Sequence, residues 1–262
     1  MRQDPMRQHR MRRHSKGRHS IPPSDFQSPI RQPGLDRREV LKAGALGLMA
    51  WSGAGRLQAS PAAAAPACVL TPRQTAGPFY RDLDLMRSDL REDREGVPLR
   101  LELTVVDAST CQPIPGALVD VWHCDAAGIY SGFAQQAEDA HHGRQGTARR
   151  DSTFLRGLQS ADGEGQVRFQ TIFPGWYSGR VTHIHFMVHL GGRTAVTSQL
   201  YFPDEITGEI YQRSVYGGHG TGYPRLAEDG IFRHSKDVQA LIVKVRPQDE
   251  GYAASHVLGV RL

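Results

Sequence analysis

The chain has 262 residues, 39% hydrophobic and 23% charged, with a formal net charge of +5. The charge is uneven: residues 1–67 carry 12 Lys and Arg against 4 Asp and Glu. The remainder is therefore net acidic and makes no electrostatic case for nucleic acid. Three cysteines without a Cys-x-x-Cys pair argue against a zinc knuckle.

Residues 1–36 are rich in Arg, His and Gln, show no periodicity and are predicted to be disordered. Over 37–67, Arg37 and Arg38 precede Val40-Leu41-Lys42, a short apolar stretch and a small-residue tract with Ala-x-Ala cleavage options before Cys68. This resembles a twin-arginine export signal, and the apolar run is too short and Gly-rich for a comfortable membrane span. A permanent N-terminal anchor is the alternative. The expected partner is the twin-arginine translocase and the expected location periplasmic or extracellular. Such export carries folded proteins, which suits a cofactor loaded beforehand. In an oxidising compartment Cys68 can pair with Cys111, leaving Cys124 free.

Residues 68–262 read as one all-β domain, a sandwich of mostly antiparallel strands with long loops and little helix. The best candidate for a short helix is "RDLDLMRSDLRED", residues 81–93. In "LRLELTVVDA", Leu99, Leu101, Leu103 and Val105 alternate with Arg100, Glu102 and Thr104, the period of a half-buried strand. "GALVDVWHCD" follows after turn chemistry in "CQPIPG", with Val119, Val121 and His123 predicted on one face. His123 is expected in the core or supporting a site. "GQVRFQTIF", "RVTHIHFMVHL" and "AVTSQLYF" continue the pattern, the last two joined by a tight hairpin at "GGRT". "VQALIVKVRP" and "SHVLGVRL" are predicted to close the sheets. The polar stretch from Phe133 to Ser152, with His141 and His142, is long enough to be functional or mobile.

The chemistry-bearing residues concentrate in "PGWYSGRVTHIH", residues 174–185. His183 and His185 are two apart on a predicted strand, so both imidazoles point to one face. On its own such a pair is a modest signal, because this chain uses histidine freely. Tyr177 sits on the turn entering the strand and can fold back towards the imidazoles. Arg180 stands three residues before His183, and a buried guanidinium calls for an anion. Upstream, "VDVWHCDAAGIYSGF" presents Tyr130 just past a strand end, where such scaffolds keep their chemistry.

Two separated tyrosines followed by Arg-x-x-His-x-His, together with "TPRQTAGPFY", "FLRGLQSADGEGQVRFQTIFPGWYSGRVTHIH" and "TSQLYFPDE", resemble the intradiol ring-cleavage dioxygenases. The resemblance runs over roughly residues 70–205. It implies a transthyretin-like sandwich and one non-haem Fe(3+) per chain, held by Tyr130, Tyr177, His183 and His185. It implies that Arg180 stabilises negative charge on the substrate, that Gln199 lies near it, and that Tyr177 is both ligand and base. The substrates implied are a catechol and O2, the product a cis,cis-muconate-type diacid. The ligand set is chemically coherent: hard phenolate oxygen suits ferric iron, whereas zinc hydrolases favour His, Cys and carboxylate. About thirty residues separate Cys68 from the first strong strand, so the helical dimer domain of the catechol 1,2-dioxygenase branch is not expected. A homo-oligomer stays open. Two other readings remain: an exported, non-catalytic metal- or ligand-binding sandwich, and a zinc hydrolase using His183, His185 and another histidine.

Overall fold

The computed structural model describes residues 68–133, 149–217 and 222–262. The basic extension over 1–36, the 37–67 segment read as an export signal, and His141 and His142 lie outside the described residues.

Two four-stranded sheets form the domain. Strands β1 (Pro98–Asp107), β4 (Gln166–Ile172), β7 (Lys244–Gln248) and β8 (Gly251–Val260) make one, in the order β4-β1-β8-β7. Strands β2 (Leu118–Trp122), β3 (Arg156–Ser160), β5 (His183–Leu190) and β6 (Arg193–Tyr201) make the other, in the order β3-β2-β5-β6. Among the strand pairings of the described residues, only β1–β8 is parallel. The expected all-β sandwich is the fold observed.

The core lies where alternation places it. Leu99, Leu101, Leu103 and Val105 of β1 meet Val119 and Val121 of β2 and Ile184, Phe186 and Val188 of β5 in one apolar cluster. The β5–β6 hairpin turns at Gly191 and Gly192, with φ of +54° and +76°. Two consecutive left-handed residues are what a two-residue hairpin turn requires.

β5 departs from the half-exposed pattern: its outward residues His183 and His185 are as buried as its core residues. The cover is the segment before β1, whose first part, including Gly77 and Phe79, passes over the histidines, and whose later part was predicted as a helix over 81–93. That helix is absent. Left-handed φ at Asp84 and Glu92 interrupts it, and the chain instead bridges Met86 to Leu158 and Asp89 to Gln170. These contacts lie on β3 and β4, the edge strands of the two sheets, so backbone donors that a helix would use internally stitch the sheet edges together. The Cys68–Cys111 disulfide ties the start of this strap to the turn after β1, and Cys124 is free and buried.

The predicted strand over 238–247 is only half right. Val238–Leu241 is a 3-10 turn entered through Asp237 at φ +48°, and Leu241 plugs a small cluster with Tyr201 and Phe232. Two short helices were not anticipated: α1 (Asp204–Ile210) and α2 (Gly230–His234). The second caps on Asp229.

His123 is fully buried. Its Nδ1 donates to the Cys124 carbonyl at 2.8 Å, and its Nε2 accepts from the Thr171 hydroxyl at 2.7 Å. Burial holds its pKa at about 4, below the usual imidazole value, the Cys124 carbonyl opposing that shift and Arg156 adding to it. The unfolded chain therefore binds more protons below about pH 6.5. The stability this neutral imidazole represents is present above pH 6.5 and is lost as pH falls towards 4, amounting to about 3 kcal/mol. Thermal unfolding between pH 7.5 and 4.5 should show this slope, and His123→Gln should make it shallower, the remainder coming from the other buried imidazoles, His183 and His185. An unchanged slope in that variant would assign the acid sensitivity elsewhere.

Candidate metal centre

Two irregular segments deliver the tyrosines. After β2 the chain closes a tight loop on Asp125, whose Oδ1 accepts from the N–H groups of Ala127 at 2.9 Å and Ile129 at 3.0 Å. Gly128 supplies the left-handed residue, φ +79°. Tyr130 emerges from this loop fully buried. After β4 the chain runs through Pro174 and Gly175, whose N–H donates to the Asp125 carbonyl at 3.0 Å. The two tyrosine-bearing segments are thus tied to each other. Tyr211 braces the same stretch by donating to the Pro174 carbonyl at 3.1 Å. Tyr177 then opens a reverse turn closed by the Arg180 N–H on the Tyr177 carbonyl at 2.9 Å.

β5 delivers the imidazoles. His183 Nδ1 donates to the Val181 carbonyl at 2.6 Å, which leaves the Nε2 lone pair free to face the tyrosines. From that Nε2, Tyr130 Oη and Tyr177 Oη are each 3.3 Å away and His185 Nε2 is 3.1 Å away. The structure therefore gathers all four side chains singled out in the sequence around one point. Donors about 2.1 Å from one ion and about 90–110° apart stand about 3.0–3.4 Å from each other, so the three distances from His183 Nε2 match those of donors sharing one cation. Among the described residues no group of three or more His, Cys, Asp or Glu assembles. The third histidine that a zinc site would need is not brought to His183 and His185 within that set.

Electrostatics point the same way. Burial raises both phenols, Tyr177 to about 12 and Tyr130 well above its ordinary value, with the neighbouring tyrosine adding to the rise at Tyr130. Burial lowers His183 to about 3 and His185 far below its usual range. The protein alone favours four neutral groups and disfavours any proton-borne positive charge. A bound metal cation would reverse this, because it would bind the imidazole lone pairs and displace the phenolic protons.

Aromatic rings wall the centre. Trp122 stacks on His185 at 5.0 Å and 5°. Phe79 stacks on Tyr130 at 4.5 Å and meets Tyr177 edge-on at 5.9 Å. Gly77, at φ +68°, lets the strap pass over His185, where a Cβ would stand 3.3 Å from its Cε1. "GPFY", residues 77–80, is therefore the roof of the site.

Arg180 is held at all three guanidinium nitrogens. Nε donates to Asp229 Oδ2 at 2.8 Å, Nη1 to Tyr177 Oη at 3.4 Å, and Nη2 to Gln199 Oε1. Gln199 is in register with His185 across β5–β6, and its Nε2 donates to the Thr75 carbonyl at 3.1 Å. The structure thus brings Arg180 and Gln199 to the tyrosine–histidine group, each through a named bond. Sequence reasoning missed Asp229 and Tyr201, which donates to Gln199 Oε1 at 3.2 Å. No local pattern marks either: Asp229 lies 49 residues from Arg180.

Comparison with known proteins adds to this geometry. A family model described as "Dioxygenase" matches residues 75–213, just over half of the chain. Catechol 1,2-dioxygenase of Acinetobacter baylyi is 28% identical over 153 residues, covering 50% of this chain and 45% of that protein. Protocatechuate 3,4-dioxygenase beta chain of Burkholderia cepacia is 34% identical over 152 residues, covering 51% and 60%. The chain thus spans about half the length of the curated relatives it matches. Among solved structures, an intradiol ring-cleavage dioxygenase from Tetranychus urticae superposes with a TM-score of 0.66 at 34% identity, over 74% of this chain and 95% of that one.

Proposed function

Because this chain belongs to the intradiol ring-cleavage dioxygenase family, we propose that it cleaves a catechol-type ring between its two hydroxyl-bearing carbons with O2, using one ferric ion. The observation that carries the reading is the convergence of Tyr130 Oη, Tyr177 Oη and His185 Nε2 on His183 Nε2 within 3.3 Å. Those four side chains would hold the ion, and two phenolates offset most of a trivalent charge. Bound there, ferric iron would supply the Lewis acidity that favours a doubly deprotonated catechol and the electron delocalisation that opens its ring carbons to O2.

The chain's own residues then have distinct tasks. Tyr177 is the ligand suited to take a substrate proton, because it sits on a reverse turn and is only part-buried, unlike Tyr130. Arg180 Nη1, 3.4 Å from Tyr177 Oη, offsets negative charge where a catechol oxygen would replace that phenolate. Gln199 keeps Arg180 in place from the sheet side. Trp122 and Phe79 hold His185 and Tyr130 in their planes and keep water from the centre. The twin-arginine route remains a proposal supported by the 37–67 segment of the sequence.

The test is an oxygen-uptake screen of the iron-loaded chain over catechol, protocatechuate, hydroxyquinol and larger catechols, with product identification. The expected result is a red-brown protein from tyrosinate charge transfer, with about one iron per chain, one O2 consumed per catechol and a ring-opened diacid as product. A colourless chain holding stoichiometric zinc would overturn the iron reading. A coloured chain that consumes no O2 with any of them would favour the non-catalytic binding sandwich.

A further inference from the structure

Asp229 lies beyond the family-matched stretch, on the C-terminal side of the domain, and has no measurable solvent exposure. Four hydrogen bonds converge on its carboxylate. Oδ2 accepts from Arg180 Nε at 2.8 Å and from the Val181 N–H at 3.0 Å. Oδ1 accepts from the N–H groups of Ile231 at 2.8 Å and Phe232 at 3.0 Å. One side chain therefore ties the first turn of α2 to the residues that lead into β5. A buried charge is tolerated when it is paired and its lone pairs are filled, and both conditions hold here.

We propose that Asp229 is a positioning residue: it sets the plane of the Arg180 guanidinium so that Nη1 faces Tyr177 Oη and the incoming substrate oxygen. This rests on the dioxygenase reading of the site. The geometry favours a carboxylate over its amide. All four partners are donors, so an asparagine would turn an NH2 group towards two N–H groups whichever way it faced. It also favours a fixed arginine over a free one. With Nε on Asp229 and Nη2 on Gln199, the guanidinium plane is set from two sides, and Nη1 is left to contact the site. Without Asp229, a long flexible side chain must find that orientation by itself, and charge stabilisation of this kind depends on the orientation being made in advance.

Asp229→Ser is the informative variant. Serine retains a good helix cap for Ile231 and Phe232 but is too short to reach Arg180. In the iron-loaded full chain, D229S is expected to keep its iron content and tyrosinate colour while kcat falls about tenfold to a hundredfold. In a cycle with Arg180→Gln, the double variant should be no worse than R180Q alone to within about twofold, because both substitutions remove the same interaction. NMR of the metal-free full chain should show a slowly exchanging Arg180 Nε–H that is lost in D229S. Additive losses in the cycle, or a wild-type Nε–H that exchanges as freely as a solvent-exposed one, would overturn the proposal. The NMR reading does not depend on turnover. A protected Nε–H in a chain that oxidises no catechol would therefore sink the dioxygenase reading while upholding the Asp229–Arg180 arrangement.

Discussion

His183→Ala should strip the protein of stoichiometric iron and lower catechol-dependent O2 uptake by at least about a thousandfold. The size of the effect follows from where His183 sits. Its Nε2 is the atom that each of the other three donors approaches, at 3.3, 3.3 and 3.1 Å. Its Nδ1 is fixed to the Val181 carbonyl, so the lone pair is aimed before any ion arrives. Alanine removes that anchored donor and leaves two phenols and one imidazole in a pocket that disfavours charge. Some destabilisation accompanies it, about 1–3 kcal/mol for buried hydroxyls that lose a partner. Because the sandwich core lies on the other face of β5, the variant should still unfold cooperatively. Iron by elemental analysis, O2 uptake and thermal melting separate these effects. A folded variant that keeps its iron and more than a tenth of its activity would mean that the centre is not built on His183.

Gly175→Ala should cost about 2–4 kcal/mol and bleach the iron-loaded protein, though it alters no proposed ligand. The reason is close approach rather than an unusual dihedral angle. A Cβ on residue 175 would stand 2.5 Å from the Ala126 carbonyl oxygen and 2.8 Å from that of Asp125. Both are backbone atoms, held by the same loop that delivers Tyr130, so neither can turn aside. Relief requires the two tyrosine-bearing segments to separate, which breaks the bond from the Gly175 N–H to the Asp125 carbonyl and carries Tyr177 away from His183. Melting temperature reads the first consequence and charge-transfer absorption the second. An alanine variant with wild-type colour and stability would show that the segments are not rigidly coupled.

The two substitutions probe different kinds of information. His183 and His185 were legible because a two-residue period is a local property of a strand: spacing alone places both on one face. Tyr130 and Tyr177 were legible only as residues of the right chemistry at the ends of predicted strands, with family resemblance supplying the link. The roof made by Gly77 and Phe79 was not legible, because no local pattern says which strand an irregular segment will cross, and the stretch after it, 81–93, was itself misread as a helix. Its backbone went to sheet edges that only the assembled sandwich provides. The front half of the predicted strand at 238–247 failed for a related reason: Leu241 turns inward to fill a cluster with Tyr201 and Phe232. Apolar content read correctly there, but its direction did not.

By itself, then, the sequence determined most of the strands, the hairpin at Gly191 and Gly192 and the shared face of the histidines, whereas β3 (Arg156–Ser160) was not predicted and the list of donors rested on the family resemblance. The first three follow from side-chain alternation and turn chemistry, which act over a few residues. The tertiary structure decided that Trp122 stacks on His185, that a strap roofs the centre, that Gly175 must lack a side chain, and that a carboxylate 49 residues from Arg180 is the partner of its guanidinium. Those outcomes depend on which buried donors and acceptors meet once the two sheets close. A buried polar group must find a partner wherever in the chain that partner lies.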